Sequence, residues 1–405
     1  MTHLNANAFD FGITQMTKDS GFRVAVDIGG TFTDTVLMDP DGYIAGTNKT
    51  PTTPDNPTFG ALDGVGRVLR DAGVTWSDIG GFIHGTTLAT NALIERRGAR
   101  VATITTEGFR DILEIGYERR YSQYDINLQK PDLIVTRRQS LTIRGRIAAT
   151  GNVLVPLDEA AVSSLVTSLK DMQVDAVAVC LLHAYANPVH EQLLRNLLTA
   201  ELPDIAISLS SDVSPEAREF DRLCTTITNA YIQPLMASYL ADFERQFAVQ
   251  GIACPILMMT AGGGMTTLET AAALPIRLVE SGPAGGAILA ARIARQVDSR
   301  DVLSFDMGGT TAKLCLIDDF KPQSARRFEI ARAERFIKGS GMPVRIPVLE
   351  MIEIGAGGGS IATVDRLGRV QVGPESAGSE PGPAAFGKGG TQSTVTDADV
   401  LQGLI

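Results

Sequence analysis

The chain has 405 residues, of which 44% are hydrophobic and 20% are charged, and its formal net charge is −10. This length and composition are typical of a folded protein with more than one domain. The negative charge, without a long basic segment, argues against nucleic acid or an anionic membrane as the main partner. No apolar segment approaches the roughly 18 residues of a membrane-spanning helix. The four cysteines are far apart in sequence, which favours free thiols and a cytoplasmic location.

The first predicted element is a strand that begins at Phe22, after a polar segment over 1–21 that we expect to be a disordered leader. The strand ends in a turn that contains Asp27, Gly29, Gly30, Thr31, Thr33 and Asp34. Paired glycines permit a tight turn and leave backbone N–H groups free to bind phosphate oxygens. A strand-end aspartate commonly holds magnesium, usually through water. The pattern predicts a phosphate-binding hairpin, with an ordinary hairpin turn as the alternative.

Helices and strands alternate through the next part of the chain. Helices are predicted over 58–71, 88–97, 158–172 and 188–201, and strands over 101–105, 175–182 and 205–209. Between the strand that begins near residue 81 and the helix over 88–97 lies a polar segment with His84, Thr86 and Thr87. Alternating strands and helices indicate an α/β fold with a mostly parallel sheet.

A further helix is predicted to start at Ser214 and to continue to about residue 250, broken into two helices near Pro234. Three glycine-rich loops follow over 260–264, 280–286 and 355–360, and the middle loop opens a helix that ends near Arg295. Helix N-termini of this kind attract anions. Tight packing between helix and strand is an equally good interpretation of each loop.

The pattern of the first hairpin occurs a second time, far along the chain. The second copy contains Asp306, Gly308, Gly309, Thr310, Thr311 and Lys313. In both copies another aspartate, Asp39 or Asp318, stands twelve residues after the first. Two copies in the same register predict two related half-sites that bind the phosphates of one nucleotide. Lys313 would add a positive charge there, although a solvated strand lysine is equally plausible.

These segments resemble the hydantoinase/oxoprolinase family, specifically its ATP-binding A-type subunit, within the actin, sugar kinase and DnaK-type chaperone superfamily. The matching segments lie at 26–34, 84–92, 280–286, 306–310, 353–361 and 372–383. The resemblance implies an actin-like (ribonuclease H-like) ATPase fold with two α/β domains around a nucleotide cleft. We expect a hydantoinase A N-terminal-like domain over 22–210 and a hydantoinase A/oxoprolinase-like domain over 211–405. Relatives are typically much longer, so the second domain is expected to be truncated and ATP binding by this chain alone weak or absent.

The resemblance also implies the residue roles. Magnesium is expected at Asp27, Asp34 and Asp306, with Asp27 and Asp306 the catalytic residues. Phosphate contacts are expected from Gly29, Gly30, Thr31, Thr33, Gly308, Gly309, Thr310, Thr311 and Lys313. Substrate contacts are expected from His84, Thr86, Thr87 and Asn91.

The implied activity is ATP-dependent hydrolysis of a cyclic amide, such as a hydantoin, 5-oxoproline or a lactam, through phosphorylation of the carbonyl oxygen. The chain would be the ATP-binding subunit of a heteromeric complex with a B-type hydantoinase subunit. One alternative is the ATP-using subunit of a ketone carboxylase of the acetone or acetophenone type. Another is a nucleotide-binding fragment without catalytic activity.

Overall fold

The computed structural model describes residues 21–30, 32–53, 56–118, 120–128, 132–330, 332, 337–378 and 380–405. The predicted leader, apart from Gly21, and Thr31 lie outside these residues. The chain forms two compact units. The first unit contains residues up to Ser281 together with Arg326–Val348, and the second contains Gly282–Ala325 and Leu349–Ile405. Within the described ranges, none of the helices has the length and apolar character needed to cross a membrane.

The elements of the described residues are named here in chain order. The strands are β1 (Phe22–Ile28), β2 (Phe32–Met38), β3 (Ile44–Pro51), β4 (Ile79–Thr86), β5 (Val101–Thr106), β6 (Ser140–Ile143), β7 (Arg146–Ile147), β8 (Val153–Val155), β9 (Ala176–Cys180), β10 (Ala206–Leu209), β11 (Ile256–Met259), β12 (Met265–Thr267), β13 (Val302–Met307), β14 (Ala312–Asp318), β15 (Lys321–Pro322), β16 (Ser324–Ala325), β17 (Phe328–Ile330), β18 (Met342–Val344), β19 (Val348–Leu349), β20 (Ile352–Ile354), β21 (Ser360–Val364) and β22 (Val370–Ser376). The helices are α1 (Pro57–Ala72), α2 (Leu88–Ile94), α3 (Ile112–Ile115), α4 (Val162–Asp171), α5 (Val189–Glu201), α6 (Ser210–Val213), α7 (Glu219–Val249), α8 (Leu268–Ala273), α9 (Ser281–Gln296) and α10 (Val395–Gln402).

The main sheet of the first unit has the strand order β12-β11-β4-β1-β2-β3. β4 is parallel to both β1 and β11, and the other neighbours are antiparallel. Helices α1 and α7 cover one face of this sheet. A Cβ at Gly64 of α1 would lie 2.7 Å from Thr35 Oγ1, and the Phe243 ring of α7 packs edge-on against Phe82 at 5.9 Å.

A second sheet of the first unit is entirely parallel, with the order β10-β9-β5-β6. All five residues of β9 are buried, because a parallel sheet is covered on both faces. Leu165 and Leu169 of α4 and Leu194 and Leu198 of α5 belong to the core around this sheet. The alternation of helices and strands predicted for this region is confirmed.

Helix α7 differs from the prediction in two ways. It runs without a break from Glu219 to Val249 with Pro234 inside it. Proline removes one backbone donor, and the fully buried Ile232 and Met236 hold the helix against the core on both sides. The helix begins after Ser214 because Arg218 adopts a φ of 88°, which a right-handed helix excludes.

The predicted domain boundary between residues 210 and 211 lies inside the first compact unit. Helix α7 packs against β9 and β10, and β11 pairs with β4. Both elements lie beyond residue 210, and they complete the core and the main sheet of the residues before it.

The second unit is built on an antiparallel sheet. β13 pairs with one edge of β14, while β15 and β20 share its other edge. Helix α9 packs on one face of this sheet, where Ala284 and Ala287 lie in one core cluster with Cys315. The helix begins at Ser281, so the predicted glycine loop over 280–286 is mostly its first two turns rather than a loop.

Candidate functional site

The first glycine hairpin joins β1 to β2. Asp27 and Asp34 are directly opposite each other across the two strands, and both are exposed. The Gly29 N–H donates to the Phe32 carbonyl at 3.0 Å and closes the turn. Asp34 forms an exposed ion pair with Lys49 of β3 at 2.6 Å.

The Asp27 carboxylate lies beside the parallel strand β4. A Cβ at Gly85 would stand 2.7 Å from Asp27 Oδ1, so a larger residue there would require this carboxylate to move. Asp27 and Gly85 are register partners near the carboxyl ends of β1 and β4. Ligands of open α/β sheets bind outside the carboxyl ends of parallel strands. The sheet therefore presents Asp27 where a ligand is expected.

Two threonines connect the turn to the chain that follows β3. Thr52 Oγ1 donates to the Gly29 carbonyl at 2.8 Å and lies 3.2 Å from Thr33 Oγ1. The Thr33 side chain is fully buried, so it supports the turn from inside the unit. A phosphate contact from Thr33 stays a prediction that this position does not favour, and Thr31 lies outside the described residues.

Residues of the β4–α2 connection also meet the first hairpin. Thr87 Oγ1 donates to the Ile28 carbonyl at 3.3 Å, and the Asn91 amide lies 3.4 Å from Thr87 Oγ1. A Cβ at Gly30 would stand 3.8 Å from Asn91 Nδ2. Thr86 is buried and accepts from the Leu88 N–H at 3.2 Å. The structure thus brings Thr87 and Asn91 to the turn, while Thr86 helps to start α2.

His84 occupies a core position. Its side chain is fully buried, its ring stacks on Phe243 at 4.3 Å, and its Nε2 lies 2.7 Å from Tyr239 Oη. Nδ1 donates to the Val26 carbonyl at 3.2 Å, so neutral Nε2 accepts from the Tyr239 hydroxyl. Burial lowers the pKa of His84 to about 4. A substrate contact from His84 stays a prediction that this buried position does not favour.

The second glycine hairpin joins β13 to β14 in the second unit. Asp306 is opposite Lys313, and the Gly308 N–H donates to the Thr311 carbonyl at 2.9 Å. The two hairpins therefore close in the same way. Asp306, Gly308, Gly309 and Thr310 are exposed.

The loop over 355–360 packs against this second hairpin. The Gly358 and Gly359 N–H groups donate to the carbonyls of Gly308 and Gly309 at 2.9 and 2.7 Å. A Cβ at Gly357 would stand 2.7 Å from the Gly308 carbonyl oxygen. For this glycine segment the structure supports the tight-packing interpretation, because its donors are directed at the hairpin backbone.

Sequence reasoning missed three residues that hold these positions. Lys49 is the register partner of Asp34, Thr52 supports the Gly29 carbonyl, and Tyr239 binds His84. Only Lys49 carries a sequence signal, since a lysine in the strand that pairs with β2 is placed to meet an acidic residue. Among the residues that the structure describes, no three His, Cys, Asp or Glu side chains are grouped to hold a metal ion.

Two models of one protein family match the chain. The hydantoinase/oxoprolinase N-terminal region matches residues 23–202, and the hydantoinase/oxoprolinase model matches residues 222–405. An uncharacterized protein of Methanocaldococcus jannaschii is 38% identical over 95% of this chain and 57% of its own length. The caprolactamase subunit alpha of Pseudomonas jessenii is 34% identical, over 95% and 55%. The acetophenone carboxylase gamma subunit of Aromatoleum aromaticum is 33% identical, over 96% and 54%.

Solved structures agree with these matches. The crystal structure of the ATP-dependent caprolactamase from Pseudomonas jessenii has a TM-score of 0.78 and 33% identity, covering 95% of this chain and 55% of that chain. A nucleotide-free acetone carboxylase has a TM-score of 0.79 at 23% identity, with the same coverage, and shows the shared mixed α/β fold. The chain spans about half the length of the curated relatives named above. The chain belongs to the hydantoinase/oxoprolinase family.

Proposed function

We propose that this chain contributes the ATP-binding part of an enzyme that hydrolyses a cyclic amide, such as a hydantoin, 5-oxoproline or a lactam. The repeated hairpin carries the proposal, since Asp27 and Asp306 stand at the same position before turns with the same closure. The identity to caprolactamase subunit alpha supports this substrate class. We further propose that both units have the actin-like ATPase fold. The hairpin beside a parallel strand in the first unit supports that assignment.

In this proposal the hairpins bind the phosphates of ATP. Exposed backbone N–H groups of the glycine turns would donate to phosphate oxygens, and Lys313 would contribute positive charge. Asp27, Asp34 and Asp306 would hold Mg²⁺, which neutralises phosphate charge. Mg²⁺ in nucleotide sites takes most of its ligands from water and phosphate, so these aspartates would act partly through bound water.

The amide would be activated at its carbonyl oxygen. Resonance with nitrogen makes an amide carbon a poor electrophile. Transfer of the γ-phosphoryl group forms a bond from phosphorus to the carbonyl oxygen and breaks the bond to the bridging oxygen of ADP. Water then attacks the activated carbon, and the protonated ring nitrogen leaves, which opens the ring and forms an acyl phosphate. A second water attacks the acyl phosphate, and phosphate leaves to give the carboxylate. Thr87 and Asn91, beside the first hairpin, are the proposed substrate contacts. The protein's contribution is mainly positioning and charge neutralisation.

A B-type hydantoinase subunit is the proposed partner in a cytoplasmic heteromeric complex. A second candidate function is the ATP-using subunit of a ketone carboxylase, in which phosphorylation activates an enol or bicarbonate. The 33% identity to acetophenone carboxylase gamma subunit favours it nearly as much as the 34% identity to the caprolactamase subunit favours the first.

The experiment is Mg²⁺-dependent phosphate release from ATP by this chain, with and without a B-type subunit. The panel contains 5-oxoproline, hydantoins, lactams, and ketones with bicarbonate. We expect one cyclic amide to stimulate release, and Asp306→Ala to abolish the stimulation, while the exposed control Glu375→Ala retains it. Stimulation only by a ketone with bicarbonate identifies the second candidate. Nucleotide binding without stimulation by any compound would contradict both candidates.

A further inference from the structure

A row of three charged side chains crosses the main sheet of the first unit beside the first hairpin. Asp27 of β1 is opposite Asp34 of β2, and Asp34 is opposite Lys49 of β3. Residues directly opposite each other lie on one face of a sheet. These three residues are exposed, whereas the adjacent Val26 and Thr33 are buried on the other face. Asp27, Asp34 and Lys49 are called the first charged row.

The second hairpin has a charged row of the same composition in a different order. Asp306 of β13 is opposite Lys313 of β14, and Lys313 is opposite Glu353 of β20. These three residues form the second charged row. β20 pairs antiparallel with β14, as β3 pairs with β2. Each row therefore has two carboxylates and one lysine, but the lysine belongs to the middle strand in the second row and to the third strand in the first.

The Lys49 side chain extends over the middle strand of its own row. Its Nζ donates to both carboxylate oxygens of Asp34, at 2.6 and 2.8 Å, and lies 5.1 Å from the centroid of the Phe32 ring. Phe32 is the first residue of β2 after the glycine turn, and it shares a face with Asp34. The ammonium group of Lys49 therefore lies over β2 near the turn, at the strand position that corresponds to Lys313 in the second row.

We propose that Lys49 binds the phosphates of the nucleotide at the first hairpin, as the counterpart of Lys313 at the second. This inference rests on the proposed function of the hairpins. A lysine ammonium group suits phosphate as a compact point charge.

The ion pair that holds Lys49 is weak enough to exchange. The side chains of Lys49 and Asp34 are 56% and 50% exposed, and an exposed pair of this kind contributes little to stability. A phosphate chain with several negative charges therefore takes Lys49 from Asp34 at small cost. The exchange also frees the Asp34 carboxylate for the Mg²⁺ site proposed above.

The test measures the binding of MgATP and of metal-free tripolyphosphate to the whole chain by isothermal titration calorimetry. Lys49→Met should weaken the binding of both ligands by at least about tenfold, because it removes a charge-assisted contact. Lys49→Arg should retain most of the affinity, since the positive charge remains. The control is Lys170→Met, at an exposed lysine of α4, which should leave both affinities unchanged. Thermal unfolding checks that the variants remain folded.

The two partners of the ion pair should have opposite effects on tripolyphosphate. Asp34→Asn frees Lys49 and should strengthen binding, and this strengthening should disappear when Lys49→Met is added. An ion pair with only a structural role predicts weaker binding in both single variants. A long-range effect of charge predicts the same strengthening with and without Lys49.

Two results would overturn this inference alone. The first is binding to Lys49→Met that matches binding to Lys170→Met, and the second is strengthening by Asp34→Asn that persists in the double variant. Either result leaves the proposed function intact when the unmodified chain binds MgATP. An unmodified chain that binds neither ligand at millimolar concentration would overturn both the inference and the proposed function.

Discussion

The β1–β2 hairpin and the β13–β14 hairpin share a turn but differ in what surrounds them. In the first unit, two helices bury the face below the turn, and β4 pairs with the outer edge of β1. In the second unit, the same face is exposed, and the loop over 355–360 supports the turn through backbone hydrogen bonds. The turn geometry is therefore a local property of the repeated sequence, whereas burial depends on elements far away in the chain.

The largest expected difference comes from placing a charge at equivalent positions of the two hairpins. Val26→Asp buries an unpaired carboxylate and should cost more than about 4 kcal/mol of the free energy of unfolding. Phe305→Asp, on the exposed face, should change it by less than about 1 kcal/mol. Urea unfolding followed by circular dichroism measures both. Equal losses would show that the second hairpin is as buried as the first.

The next effect concerns His84 of β4, a strand with no counterpart beside β13 among the residues that the structure describes. Its folded-state pKa of about 4 is below the ordinary value of 6.5, so between these values the unfolded chain binds a proton that the folded chain does not. Stability is therefore complete above pH 6.5 and falls by about 3 kcal/mol as the pH decreases to 4.

The matched variant is His84→Gln, which removes the titrating group. Its stability should be lower at neutral pH, but the part of the pH dependence due to this residue should disappear. Urea unfolding at a series of pH values compares it with the unmodified chain. An unchanged slope between pH 6.5 and 4 in the variant would contradict the buried neutral histidine.

A smaller effect tests the backbone support of the second hairpin. Gly357→Ala places a methyl group 2.7 Å from the Gly308 carbonyl oxygen and should cost about 2 kcal/mol through overpacking. Gly309→Ala is the control, since no atom lies within 4 Å of its added Cβ. Hydrogen exchange of β13 and β14 measures the local stability. Similar exchange rates in both variants would show that the loop does not hold the hairpin.

The smallest effect is expected at the ion pair of the first hairpin. Asp34 and Lys49 are about half exposed, and exposed pairs contribute roughly 0–1 kcal/mol. Asp34→Asn and Lys49→Gln, combined in a double-mutant cycle, should give a coupling energy below about 1 kcal/mol at physiological salt. A much larger coupling energy would make Lys49 a main support of the first hairpin. In the second hairpin, the lysine opposite an aspartate is Lys313, which faces Asp306.

Much of the local structure follows from the sequence. Both hairpins can be located in the sequence from the aspartate followed by paired glycines. The glycines predict the turn because they permit the backbone to bend tightly. The predicted end of the first helix at residue 71 agrees with α1, which ends at Ala72, because Gly73 then adopts the left-handed conformation with a φ of 68°. The strongly apolar β9 was predicted from its own residues, which a parallel sheet covers on both faces.

The remaining features depend on distant parts of the chain. The resemblance places His84 among the expected substrate contacts, and its burial depends on Tyr239 and Phe243 of α7, which lie far away in the sequence. Pro234 predicted a helix break that tertiary packing overrides. The second charged row becomes visible only when the register aligns β13, β14 and β20.

The most direct test of the central claim is hydrogen exchange of both hairpins with ATP and Mg²⁺ at millimolar concentration. If both hairpins bind phosphates, exchange should slow over 27–34 and over 306–313 at the same ATP concentrations. AMP, which lacks the β- and γ-phosphates, is the control and should leave both unchanged. Slowing in both segments, lost in Asp27→Asn and Asp306→Asn, is the predicted result. Slowing in one hairpin alone, or an equal response to AMP, would contradict the account.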